Sequence, residues 1–219
     1  MRFIRSAWLL TLAVGSAAIT LGSLAYFGTD LPEFVIEKLP LPWEHVWLGA
    51  LKLHVVAAAL ALPGCLVLVS QTALKRLPAF HRWAGRATAV VVLLALVPSG
   101  SYLALFAKGG LPSTVGFLVS GAVAAIAMVQ AVREARARHF AAHRRFALHV
   151  LAQLSVAVTS RAMLFVFDAI AFEDEPAYLV SLWLPVAASA LAVELISWRN
   201  HAHLSRSSRL SARLRAASI

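Results

Sequence analysis

Apolar residues run through this chain in long blocks, not in the strict alternation of a half-buried strand. Six blocks can be marked, at about residues 5–27, 46–73, 80–107, 112–134, 143–170 and 177–198. Each is long enough for a helix to cross a hydrocarbon core of about 30 Å, which takes roughly 20 residues. The pattern predicts an all-α fold: a polytopic membrane protein with six transmembrane helices in a bundle over residues 1–199, and a basic tail over residues 200–219.

The polar positions between the blocks give an orientation. With both termini cytoplasmic, all twenty Lys and Arg fall on the inner side except Lys38 and Lys108 outside and Lys52 and Arg161 within spans. The acidic Asp30, Glu33, Glu37, Glu44, Glu173, Asp174 and Glu175 collect on the outer side. This is the positive-inside bias.

The N-terminal run from Ser6 to Phe27, after MRFIR, has small residues Ser23 and Ala25 near its end, as a signal peptide would. It is longer than the ~7–15 residues of a signal core, so an uncleaved anchor helix is expected. The first outer loop, Gly28–His45, holds Pro32, Pro40, Pro42 and Trp43, with Trp47 just beyond. It reads as a plain connector, with a short interfacial segment as the other option. The tail after Arg199 is Ser/Arg-rich and suits a basic amphipathic turn or a disordered arm against anionic lipid at the cytoplasmic face.

Composition agrees. A hydrophobic share of 60% and mean hydropathy of +0.78 exceed those of soluble domains. A net charge of +10 would suit nucleic acid, but the cations sit between apolar runs, so no nucleic acid partner is expected. The lone Cys65 lies mid-span, which rules out an intrachain disulfide and a cysteine metal site.

Candidate chemistry centres on His143–Arg161, an apolar run with a charge at each end. In a helix the two stand about 27 Å apart on one face, which also carries Ala147, Val150, Leu154, Ala157 and Asp168. Ionisable groups within a span usually face a protein interior, so this face is expected to look inward, with Asp168 helping to neutralise Arg161. In the second span, Lys52 is near enough to the outer end to snorkel, while His54 shares a small-residue face with Ala58, Ala61, Cys65 and Thr72. Pro63-Gly64 is expected to loosen or kink this helix. The third span opens with FHRWAGRA and sets His81, Gly85, Thr88 and Ser99 on one stripe and Arg82 and Arg86 on another suited to lipid phosphate. Arg144 and Arg145 read as lipid-facing cations of the same kind. In the fourth span, Gly116 and Ser120 form a small-residue packing contact. Glu194 in the last span either snorkels toward Arg199 or takes a buried role. Counting from helix ends gives an outer layer of His54 and Arg161 below Asp168, and an inner layer of His81, His143, His149, Arg86 and Glu194.

His54, then HRWAGR at 81–86, then HRR at 143–145 leading to Arg161, resembles a bacterial family of predicted multi-pass membrane proteins catalogued as domain of unknown function 2306. The likeness covers about residues 46–165. This chain has Phe146-Ala147 where the family pattern prefers Trp-Met, and His149-Val150-Leu151 where it prefers Arg-Ser-Tyr, so no role carries over to His149. The resemblance implies a helical bundle in a bacterial cytoplasmic membrane and this set of candidate residues, but no reaction.

Four functions stay open. Facing helices could offer histidines to one haem-type or metal cofactor, with neighbouring arginines on haem propionates. Titratable groups at successive depths could relay protons in small-solute transport. The polar layers could also simply hold together a scaffold, sensor or assembly factor. Membrane-embedded enzyme chemistry is the fourth, although signatures such as HExxH or a phosphate-binding glycine loop are absent, and the sequence names neither a ligand nor a protein partner.

Overall fold

In the computed structural model the backbone is described for residues 2–28, 32–41 and 43–216, and side chains for all of these but 2–5, 34, 71–73 and 200–216. Asp30, Pro42 and the side chains of Arg2, Arg5, Thr72, Arg206, Arg209, Arg213 and Arg215 lie outside the described residues.

The described residues are helical, with no strand among them. The elements are α1 (Arg2–Gly22), a 3-10 turn (Ser23–Phe27), α2 (Glu33–Ile36), α3 (Glu44–Val69), α4 (Gln71–Arg76), α5 (Pro78–Val91), a π turn (Val92–Leu96), α6 (Val97–Ala104), α7 (Gly110–Arg136), α8 (Phe140–Ala169) and α9 (Asp174–Ala216). Six stretches are long and apolar enough to cross a membrane: Ser6–Phe27, Glu44–Val69, Pro78–Ala104, Gly110–Arg136, Phe140–Ala169 and Asp174–Arg199. An even number of spans puts the N-terminus, the α4 connector and the α7–α8 turn at one end, here the basic end. The loop holding α2 and the α6–α7 and α8–α9 turns lie at the other, the acidic end. Beyond the last span, α9 continues as helix to Ala216.

Lipid tails are as apolar as leucine, so helices in a bilayer associate through close packing and polar contacts. The chain supplies small residues at the crossings. A Cβ on Gly64 of α3 would come 2.8 Å or less from a neighbour, meeting Thr88 Oγ1 of α5 at 2.7 Å, and one on Gly116 of α7 would meet Leu182 Cδ2 of α9 at 2.8 Å. Gly15 of α1 sits against Val158 of α8 in the same way. The core, with Leu12, Ala61, Cys65, Val92, Met128, Val150 and Val158, lies where α1, α3, the π turn, α7 and α8 converge. Helix α8 packs on α1, α3, α7 and α9, so it is the hub of the bundle.

Pro98 and Gly100 in the sequence mark the outer part of the third span as a weakened helix, and the structure shows the form that the weakening takes. Pro98 has no N–H to give the Leu94 carbonyl, and its ring crowds that turn. The backbone widens over Val92–Leu96, where Val97 N–H reaches back to the Val92 carbonyl. The stripe nonetheless stays inward: Thr88 and Ser99 are both buried.

The first acidic-end loop is more than a connector. Val35 of α2 is fully buried with Trp47 and Leu51, and Leu39, Leu41, Tyr102 and Phe106 pack around them. The Lys38 ammonium donates to the Phe106 carbonyl at the end of the third span. Burial pushes the Lys38 pKa down, Lys108 adds to that, and Glu37 opposes it. Lys52 reaches toward the same end, its ammonium 5.9 Å from the Phe27 ring centroid.

Candidate functional site

Near the acidic end, α3 presents His54 to α6. Its Nδ1 is 3.2 Å from Ser99 Oγ. Ser99 directs its single hydroxyl hydrogen to backbone carbonyls, with Ala95 O at 2.6 Å, so the hydroxyl oxygen accepts from His54 Nδ1–H. That tautomer leaves the lone pair on Nε2. Gly100 lets the ring lie against α6, since a Cβ there would stand 2.8 Å from His54 Cε1.

Arg161 lies within electrostatic reach of His54 and Tyr178. The side chain is nonetheless exposed, and Nη1 donates to the Ala157 carbonyl at 2.9 Å. It borders an open groove of about 570 Å³ between α1 and α8, lined by Leu10, Thr11, Val14, Gly15, Ala18, Ile19, Val158 and Ala162. The expected neutralisation by Asp168 is not what the geometry gives: among the described residues Arg161 makes no ion pair, and Asp168 is itself exposed. On the face from His143 to Arg161, His143, Ala147, Val150, Leu154 and Ala157 are covered by the bundle, whereas Arg161 and Asp168 beyond them are exposed. A cation at a helix centre costs about 2.5–3.5 kcal/mol on insertion scales, so this arginine needs a compensating contact.

At the basic end the inner layer divides in two. His143 Nδ1–H donates to the Ala131 carbonyl of α7 at 2.8 Å, which keeps Nε2 as a free lone pair. His81 of α5 lies within electrostatic range of His143, and its Nδ1 is buried without a hydrogen-bond partner. Helices α5 and α8 do not pack directly on each other. The second group joins α8 to α9: Arg145 Nε donates to Glu194 Oε1 at 3.1 Å and Nη2 to Oε2 at 2.6 Å. His149 Nε2–H donates to the same Oε1 at 2.6 Å, leaving His149 Nδ1 buried and unbonded. Arg145, expected to face lipid, thus forks onto Glu194, and Glu194 turns to α8 instead of Arg199. Arg82, Arg86 and Arg144 are exposed.

A polar seam lies between these layers, of which the sequence pattern marks Ser120 as a packing contact but passes over Gln153 and Ser189. Ser120 of α7 donates to Gln153 Oε1 at 2.9 Å, and Gln153 Nε2 donates to the Val186 carbonyl and Ser189 Oγ of α9, each at 3.3 Å. Gln153 is 4% exposed. An amide in an otherwise apolar span is the signal that could have found it. Among the described residues no group of three or more His, Cys, Asp or Glu is placed to hold a metal ion.

Fold and site together define a class: a multi-pass helical membrane protein whose spans carry histidine and charged residues at two depths. Within it the chain belongs to the family described as Predicted membrane protein (DUF2306), whose model matches residues 51–197, from within α3 to within α9. The family's activity is unknown. No curated protein and no solved structure matches the chain.

Proposed function

We propose that the chain is a cofactor-binding protein of a bacterial inner membrane, with both termini cytoplasmic, that holds a haem-type group at its basic end between His81 and His143 for redox or assembly work. One observation carries this reading: two histidines on helices whose backbones stay apart lie within electrostatic range of one another, and each has a ring nitrogen without a hydrogen bond. Such a gap suits a group held between two imidazoles. Haem needs only axial protein ligands, whereas a bare metal ion usually takes three or more, which the described residues do not assemble. Exposed Arg82, Arg86 and Arg144 at the same end suit propionates.

The test is the visible spectrum of protein purified in mild detergent from haem-replete cells. A Soret band is expected, lost in His81→Ala and His143→Ala and kept in His54→Ala. A colourless, metal-free preparation overturns the proposal. A second reading, proton-coupled transport of a small solute, is favoured by the π turn and Pro98 beside the His54–Ser99 contact, a break suited to gating. It predicts proton flux in proteoliposomes that falls in His54→Ala, and flux unchanged by that substitution counts against it.

A further inference from the structure

We infer that the groove between α1 and α8 binds a single-chain amphiphile with a carboxylate head, of the free fatty acid class, with the carboxylate on Arg161 and the chain against α1. The groove offers one cation on otherwise nearly apolar walls. Thr11 is its one other polar side chain, and that hydroxyl donates to the Ala7 carbonyl at 3.1 Å. Arg161 makes no ion pair among the described residues, and its hydrogen bond to Ala157 leaves other guanidinium N–H groups to donate. A carboxylate matches that planar fork with two parallel hydrogen bonds.

Depth selects the occupant. Arg161 lies eight residues before Ala169, the end of α8, or about 12 Å below it. An arginine that snorkels would stretch toward the headgroups. This one folds back along its own helix to the Ala157 carbonyl, away from the acidic end. A phospholipid phosphate held at the interface would stay above it. A free carboxylate on one chain can sink to it, entering sideways between the lipid-exposed Leu10, Val14 and Ala18.

The experiment uses the full chain, delipidated and placed in phosphatidylcholine nanodiscs, with tritiated oleate as probe and oleyl alcohol as its uncharged control. Saturable oleate binding is expected, weakened about tenfold or more in Arg161→Gln, with the alcohol bound weakly and equally by both proteins. Ala18→Trp, which fills the groove without touching the cation, should abolish oleate binding at unchanged thermal stability. Equal oleate binding by wild type and folded Arg161→Gln overturns the inference, as does alcohol binding as tight as oleate. Displacement of oleate by phosphatidylglycerol overturns it in favour of a headgroup site. If Arg161→Gln does not fold, undiminished binding by Ala18→Trp overturns it alone. The haem proposal rests on other residues and a different readout, so either can fail without the other.

Discussion

Glu194 accepts from two side chains of α8 at once, and its carboxylate sets the tautomer of one of them. His149 Nε2–H is fixed on Glu194 Oε1, while its buried Nδ1 makes no hydrogen bond. The Arg145–Glu194 fork is half open to its surroundings, with both side chains 45% exposed, so its worth is that of a surface pair, about 0.2–1 kcal/mol. A double-mutant cycle of Arg145→Ala and Glu194→Gln, followed by thermal unfolding in detergent, should give a coupling energy in that range, and strict additivity would mean the pair contributes nothing. Removing Glu194 alone should cost more than removing Arg145 alone, because it also leaves His149 without its acceptor. Counting residues from helix ends predicts His54 level with Arg161 and His81 level with His143, and the members of each pair lie within electrostatic range of one another. It could not find which neighbour each side chain chooses. Asp168 lies on the predicted face of α8, yet it is exposed there, because a face read from one helix does not say where its neighbours stop covering it.

At the scale of elements, the six spans were legible because a bilayer imposes length and hydropathy on every one of them. The π turn was not, although Pro98 announced a disturbance: proline marks where a helix must yield but not whether it kinks, breaks or widens. Contacts between helices were legible only where glycine flagged them. The seam of Ser120, Gln153 and Ser189 ties α7, α8 and α9 through side chains that single-span patterning treats as tolerated polar residues. Hydrogen bonds of this kind average about 0.6 kcal/mol in membrane proteins and reach about 1.7. Gln153→Ala should therefore lower stability by about 1–3 kcal/mol, the lost bonds adding to a small cavity, while Gln153→Leu, which restores most of the volume, should lose less. A Leu substitution as costly as Ala would assign the effect to the amide alone. Two tight connectors make a prediction of opposite sign. Arg138 and Ala171 hold φ of 62° and 50°, a region that costs a side chain about 1–2 kcal/mol, part of which glycine's greater chain entropy takes back. Arg138→Gly and Ala171→Gly should each raise the melting temperature slightly, and a fall in both would show that these turns gain more from their side chains than they lose in strain.

The whole molecule is polarised by charge: arginines crowd the connectors at one end, and Glu33, Glu37, Glu44, Glu173, Asp174 and Glu175 gather at the other. In the proposed bacterial membrane the positive-inside bias would assign the basic end to the cytoplasm, and the haem proposal depends on that assignment, because it decides which compartment meets the His81–His143 pair. The chain carries its own clean background for the test. Its single cysteine, Cys65, is buried in the core between spans, so a membrane-impermeant maleimide should leave the wild-type protein unlabelled in intact membranes. A cysteine placed at Ala137, in the exposed turn between α7 and α8, should then react only in inside-out vesicles. One placed at Glu173, in the exposed turn between α8 and α9, should react only in intact spheroplasts. Because a single span, α8, separates these two positions, labelling of both from the same side would contradict its crossing of the bilayer. The reversed pattern would keep the six spans but turn the bundle over. The proposed haem pair would then face the periplasm and the α2 loop the cytoplasm, and a redox partner would have to be sought on the opposite side of the membrane.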